Sequence, residues 1–326
     1  MNTKNQIRQK ENKRKIFTFI DLFAGVGGLR IPFESLGCKC VFTCEIDKKA
    51  CETYGLNFEK CESKDITKLD IKNEIPDFDI LLAGFPCQAF SIAGYQKGFG
   101  DKGRGDLFFY IADILREKKP EAFLLENVKN LKSHDNGRTF KIISKELVRA
   151  GYTFKADILN ATEYGNIPQN RERIYIVGFK DVSKTMRFEF PQKIKLTKNF
   201  KEFLEEDVDD KYYYNDKPLY QQLKDKAVSE DTVYQWRRKY VRENKKGVVP
   251  TLTANMGSGG HNVPIIKNHK GIRKLTPRET FALQGFPKTF KLPNLADSAL
   301  YHQAGNSVVV PVVKRIARNM LKVLNS

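Results

Sequence analysis

Between residues 16 and 179 short apolar runs alternate with amphipathic stretches, and this alternation most limits the folds open to the chain. The runs at 16–22, 40–44, 79–83, 122–125, 152–159 and 174–179 have the length and residue types of buried strands. A stretch ending near residue 36, and those at 47–57, 107–117 and 139–150, read as helices, the last with Gly151 as its C-cap. Strands and helices that alternate in this way predict an α/β fold, a doubly wound Rossmann-like sheet.

Residues 188–270 lose this rhythm. They are polar and rich in Lys and Tyr, with a Gly-Ser-Gly-Gly segment at 257–260, and read as a second, smaller, irregular domain. Beyond it Val312, Val313, Ile316, Ala317, Met320, Leu321 and Leu324 recur at helical spacing, with Pro311 in the first turn. That apolar face needs a partner, which the first block supplies if the chain returns to it. The expected organisation is a basic arm at 1–15, a main domain at 16–187 plus 300–326, a second domain at 188–272 and a hinge segment at 273–299.

The chain carries 57 Lys+Arg against 39 Asp+Glu, a net charge of +18. Residues 16–187 are almost balanced, 26 basic against 24 acidic, so the excess sits on the arm, the second domain and the C-terminal segment. Such a distribution points to a polyanion, nucleic acid ahead of an acidic membrane surface. No apolar run is long enough to span a bilayer, and residues 1–15 are polar and basic with no apolar stretch behind them, so a cytoplasmic location is expected. The six cysteines, at 38, 40, 44, 51, 61 and 87, form no Cys-x-x-Cys pair, and the four histidines lack ligand spacing, so no metal is expected.

Four strand ends carry chemistry. After the first strand, Asp21 to Gly28 (DLFAGVGG) is a tight turn that lets backbone approach a ligand. Glu45 ends the second strand twenty residues beyond Gly25, a spacing at which an acid accepts hydrogen bonds from ribose hydroxyls, and Asp65 follows where it can reach an adenine amino group. Arg30 occupies the last glycine position of G-x-G-x-x-G, which disfavours a dinucleotide. Gly84 to Ser91 (GFPCQAFS) follows the third strand, where ligands of open α/β sheets bind, so Cys87 is a candidate nucleophile. The ordinary alternative is a buried structural cysteine. Glycines at 94, 98, 100, 103 and 105 make the following loop a candidate lid. Glu126 ends the fourth strand at the same edge, a candidate general acid or hydrogen-bond donor. Gln169, Arg171 and Arg173 share a face in extended geometry, although two arginines so placed more often form salt bridges than touch substrate.

These motifs together resemble the cytosine-5 DNA methyltransferase family of bacterial restriction–modification systems. The ordered set runs from Asp21–Gly28 through Gly84–Ser91, Glu126-Asn-Val128, Gln169–Arg173 and Arg273–Glu279 to Gln303–Val308 (QAGNSV). The resemblance implies an S-adenosyl-L-methionine-dependent methyltransferase fold with a target-recognition domain at 188–272. It implies that the Cys87 thiolate adds to carbon 6 of cytosine, that Glu126 binds ring nitrogen 3 and the exocyclic amine, and that Arg173, supported by Arg171, contacts the ring carbonyl. It assigns the methyl donor to Phe23, Gly25, Gly27, Gly28, Glu45, Ile46, Asp65, Ile66, Pro86, Leu107 and Asn306, with Ile46 standing where some members have Trp. The target base must leave the stack, and residues 88–106 would close over it.

Candidate DNA contacts are Ser91, Thr251, Thr253, Gly257 and Gly259, with Arg237, Arg238, Lys239 and Arg242 on phosphates or, alternatively, on a solvated helix face. Double-stranded DNA is the expected partner of a monomeric enzyme, with a restriction endonuclease acting on the same site. An RNA methyltransferase acting on tRNA and a catalytically silent DNA-binding protein remain as alternatives. The intact Cys87, Glu126 and Arg173 set weighs against the silent protein.

Overall fold

The computed structural model describes residues 15–86, 107–237, 239–244, 247–257 and 263–326. Successive side chains of a strand face opposite sides of the sheet, so Phe19 and Ile20, like Leu82 and Leu81, enter different cores. The strands are β1 (Thr18–Leu22), β2 (Lys39–Cys44), β3 (Ile80–Gly84), β4 (Ala122–Val128), β5 (Thr153–Asn160), β6 (Gln169–Asn170) and β7 (Glu172–Phe179). Six of them form one sheet in the order β2-β1-β3-β4-β7-β5, parallel except for β7, which runs antiparallel to both neighbours. The apolar runs read from the sequence are these strands, with ends moved by a few residues. The order reverses at β1, and the carboxyl ends of β1, β3 and β4 converge there, where this class of sheet opens a ligand crevice.

One face is covered by the helix Val310–Leu324. Its Val312, Val313, Ile316, Ala317 and Met320 are buried with Phe19, Phe33, Leu82 and Leu124. The larger of these side chains each contribute about 1.5–3 kcal/mol when fully buried, and Ala317 less, which fixes the returning chain to the sheet. The helices Leu107–Lys118 and Arg138–Arg149 cover the other face through Phe108, Ile111, Leu115, Ile143 and Leu147. Ala150 closes the latter helix, and Gly151 follows at φ +91°, letting the Tyr152 N–H bond back to Leu147 O at 3.1 Å.

The second region is not irregular. It is built on an antiparallel sheet of β8 (Val233–Trp236), β9 (Val241–Asn244), β11 (Ile265–Asn268) and β12 (Gly271–Lys274), in the order β12-β11-β8-β9. These strands are four residues long, too short for alternation to stand out from a polar background. Tyr214, Leu223, Tyr234, Trp236, Ile265 and Ile272 fill one side, and Val233, Leu252, Ile266, Leu275, Leu283 and Tyr301 the other. Arg237, Lys239 and Arg242 lie on the β8–β9 hairpin and not on a helix. Arg273, read from the sequence as part of the hinge segment, belongs to β12 and makes a buried two-bond pair with Glu279 at 2.6 and 2.8 Å.

A short parallel pairing of β6 with β10 (Val249–Pro250) ties this region to the main sheet. Around it Gln169 donates to Leu283 O at 2.8 Å and accepts from the Leu252 N–H at 3.2 Å, while Gln284 donates to Ala304 O at 2.6 Å. Among the described residues no helix is long and apolar enough to cross a membrane.

Candidate active site

A cavity of about 670 Å³ opens at the switch point of the main sheet, a size suited to a small-molecule ligand. Its floor begins with the turn after β1. Phe23 and Gly25 both take positive φ, +54° each, an uncommon geometry for Phe, and it folds the backbone into the cavity. The turn is held by Glu45 at the end of β2. Glu45 Oε2 accepts from the Gly25 N–H at 2.7 Å, and Oε1 accepts from Ile46 and Asp47 N–H at 2.8 Å each. A carboxylate offers about four acceptor positions, so capacity remains for a hydroxyl ligand.

Ile46 lines the cavity yet is 63% exposed, an apolar side chain without a cover. Asp65 uses Oδ1 to accept from Thr67 N–H and Oγ1 at 2.9 and 2.8 Å, bonds that hold its carboxyl below the usual range; Oδ2 is free among the described residues. Phe23, Gly25, Gly28, Ile66, Pro86, Leu107 and Asn306 also line the cavity. Gly27 does not. At φ +84° it lies against Phe58, whose ring a Cβ would meet at 2.4 Å, so it is a packing glycine.

The other end of the cavity is set by strand register. Gly84 pairs with Glu126 and Val128 with Arg173, which puts Glu126 and Arg173 diagonally on one face. Arg173 Nε lies 3.2 Å from Glu126 Oε1, a charge pair that is not aligned as a hydrogen bond. Burial pushes the Glu126 carboxyl above its ordinary range, and Arg173 and Arg171 only partly oppose it. The proton-bearing form, a hydrogen-bond donor, is thereby more accessible than in an exposed glutamate.

Arg171 also borders the cavity, but its guanidinium is spent on the backbone. It donates to Leu252 O at 2.6 Å, Gly305 O at 3.0 Å and Ser307 O at 2.6 Å, joining the second region to the turn that carries Asn306. Its guanidinium therefore holds the wall of the cavity together. Glu126 Oε1, Arg171 Nε and Ser307 Oγ are buried without a hydrogen-bond partner among the described residues, and all three residues line the cavity. Asp21 and Arg273 also keep unpaired buried atoms, away from the cavity lining.

Cys87, Ser91, Arg238 and Gly259 lie outside the described residues, as does the proposed lid at 88–106. Cys87 follows Pro86, which lines the cavity. Arg237 and Arg242 are exposed. Thr251 donates to Asn170 O at 2.5 Å and Thr253 to Asn255 Oδ1 at 2.6 Å. Gly257, at φ +75°, packs on the Tyr301 ring and serves that packing.

Sequence reasoning missed Asn127, whose Nδ2 donates to Phe85 O at 2.9 Å and ties the segment leading to Cys87 to the end of β4. It also missed His302, on the cavity wall 2.9 Å from Asn306. The adjacency of Asn127 to Glu126 was its only signal.

A crevice at the carboxyl edge of a doubly wound sheet, with Glu45 at one end and a buried acid–arginine pair at the other, has the form of an α/β enzyme site. Residues 17–322 match the C-5 cytosine-specific DNA methylase family, and the chain belongs to it. It is 53% identical over 307 residues to the Type II methyltransferase M.Bsp6I of Bacillus sp. (strain RFL6), spanning 92% of this chain and 97% of that one. It is 41% identical over 337 residues to the Type II methyltransferase M.HhaI of Haemophilus parahaemolyticus, spanning 98% of each. Among solved structures, the methyltransferase EhMeth of Entamoeba histolytica superposes with a TM-score of 0.72 at 20% identity, over 95% of this chain and 99% of that one. S. pombe Dnmt2 gives 0.71 at 21%, over 96% and 100%. At those identities the likeness is one of fold.

Proposed function

We propose that the protein transfers a methyl group from S-adenosyl-L-methionine to carbon 5 of a cytosine flipped out of duplex DNA, as the modification enzyme of a restriction–modification system. The observation that carries this reading is the single cavity in which Glu45, Ile46 and Asp65 adjoin Glu126 and Arg173. The first three fit a nucleoside: spare acceptor capacity for ribose, an uncovered apolar side chain for a ring face, and an open carboxylate oxygen for an amine. The donor, when bound, supplies a methyl group activated by a sulfonium centre.

The remaining chemistry falls to the chain's own side chains. The Cys87 thiolate adds to carbon 6 of cytosine, which turns carbon 5 into a nucleophile. Protonated Glu126 donates to ring nitrogen 3 while its other oxygen accepts from the exocyclic amine, so charge that develops on the ring is met inside a dry site. Arg173 faces the ring carbonyl and keeps Glu126 in place. Arg171 and Asn127 hold the strand ends and the Asn306 turn. Once carbon 5 carries the methyl group, a water takes its proton, the carbon 6–sulfur bond breaks, and the Cys87 thiolate leaves as the aromatic ring is restored.

Arg237 and Arg242, exposed on the β8–β9 hairpin, serve as phosphate contacts, and the N-terminal arm adds to them. Thr253 is the better of the two threonines for a base edge, since it is exposed and bonded only to the nearby Asn255 side chain, whereas Thr251 is half-buried and held by the Asn170 carbonyl. The enzyme acts in the cytoplasm, as a monomer. Methyl transfer from labelled donor to duplex DNA and, separately, to tRNA tests the reading. Incorporation into DNA alone supports it, and incorporation into tRNA alone rejects it.

A further inference from the structure

Cys51 and Cys61 take no part in the proposed chemistry, yet their sulfurs lie 2.8 Å apart. Cys51 is buried on the helix Lys48–Gly55, and Cys61 is half-buried on the chain that returns past that helix. Both thiols border a surface depression shared with Lys48, Lys60, Glu62 and Ser63, so a small reagent can reach them. The two are not equivalent. The hydrogen bond from Cys51 pulls the Cys61 thiol down, and the same bond together with burial pushes Cys51 up.

We infer that Cys51 and Cys61 form a redox modification site, closed to a disulfide by a hydroperoxide. The Cys61 thiolate attacks the terminal peroxide oxygen; a sulfur–oxygen bond forms, the oxygen–oxygen bond breaks, and hydroxide leaves and takes up a proton. The Cys51 sulfur then gives up its proton and attacks the sulfenic sulfur, forming the disulfide as the sulfur–oxygen bond breaks and water departs. Two thiols and one hydrogen peroxide become one disulfide and two waters. The link fixes a segment that runs directly into the cofactor end of the cavity, where Ser63 Oγ donates to Ile46 O and the Lys64 N–H to Glu45 O, each at 2.7 Å, with Asp65 next in sequence. Holding that segment in place removes part of the ordering cost of binding, so the closed form takes the nucleoside more tightly; this consequence rests on the cofactor reading of the cavity.

The test uses the full-length protein, treated with one equivalent of hydrogen peroxide, alkylated and digested with trypsin without reduction. The expected product is the peptide 50–60 joined to the peptide 61–64, released by dithiothreitol. Cys51→Ser is expected to give no joined peptide and to leave a Cys61 sulfenic acid that dimedone traps. Calorimetric titration with S-adenosylhomocysteine is expected to show roughly threefold tighter binding by the oxidised protein, and no effect of peroxide on Cys51→Ser. Peroxide that oxidises Cys61 without joining the peptides overturns the site. A joined peptide with unchanged or weaker affinity overturns its effect on the cofactor. No binding by either form rejects the cofactor reading, while the peptides still decide the disulfide.

Discussion

Replacing Arg171 by alanine removes the joint between the second region and the Asn306 turn. Three buried carbonyls, of Leu252, Gly305 and Ser307, lose their donors. A hydrogen bond from a charged group is worth about 1.5–3 kcal/mol, and a buried acceptor left unpaired costs about 1–3 kcal/mol. Simple addition would give up to about 9 kcal/mol, but two effects reduce it. Burial already disfavours the charge, bringing the Arg171 pKa down to about 9, so its removal recovers desolvation energy. Water entering from the cavity also re-pairs part of the backbone. The expected loss is about 3–5 kcal/mol, comparable to breaking a buried charge network. Near 2–4 °C per kcal/mol, the midpoint should fall by roughly 10 °C. Thermal unfolding followed by circular dichroism, at fixed pH and without cofactor, measures it. Arg171→Lys, which keeps the charge but not the fork, should recover less than half of the loss. A midpoint within about 2 °C of the parent for Arg171→Ala would refute the assignment of this residue as the joint.

Other substitutions separate binding from chemistry. Glu126→Gln should lower methyl transfer by about 10²–10⁴-fold with little change in cofactor affinity. The same variant should be more stable than the parent at pH 7. The Glu126 carboxyl is raised in the folded state, so the parent loses stability as pH rises above the ordinary glutamate range, and the advantage of Gln should vanish as pH falls below it; a pH series of unfolding midpoints checks the sign. Ile46→Trp should tighten cofactor binding about fivefold, since an uncovered side chain gains a larger stacking surface, and equilibrium dialysis reads the change. Deleting residues 1–14 should flatten the dependence of DNA affinity on salt, and an unchanged slope would make the arm a bystander.

The main sheet was legible because its strands are long, apolar and regularly punctuated, and because Glu45 and Glu126 sit at strand ends with Asp65 in the connection after β2. Position in the fold, rather than any local pattern, then brought them into one cavity. The second region was not legible. Strands of four residues such as Val233–Trp236 leave two inward side chains each, and a hairpin bearing Arg237 and Arg242 reads as a charged helix as easily as a strand. A supporting role for Arg171 is what the resemblance implies, but the means of that support was not legible, for a different reason. Extended geometry at 169–173 predicts that Arg171 faces what Arg173 faces, whereas the break between β6 and β7 sends its guanidinium to carbonyls 81 to 136 residues away in sequence. Gly27 likewise reads as a ligand-facing glycine until Phe58 is seen against it.

The central claim is that this cavity methylates carbon 5 of cytosine through Cys87. Nucleoside analysis of DNA from cells expressing the protein tests it most directly, with Cys87→Ser expressed alongside. The account predicts 5-methyldeoxycytidine from the parent and none from the variant, with cofactor binding retained by both. A methyl group found on the exocyclic nitrogen of cytosine or adenine, or 5-methyldeoxycytidine made equally well by Cys87→Ser, would contradict it.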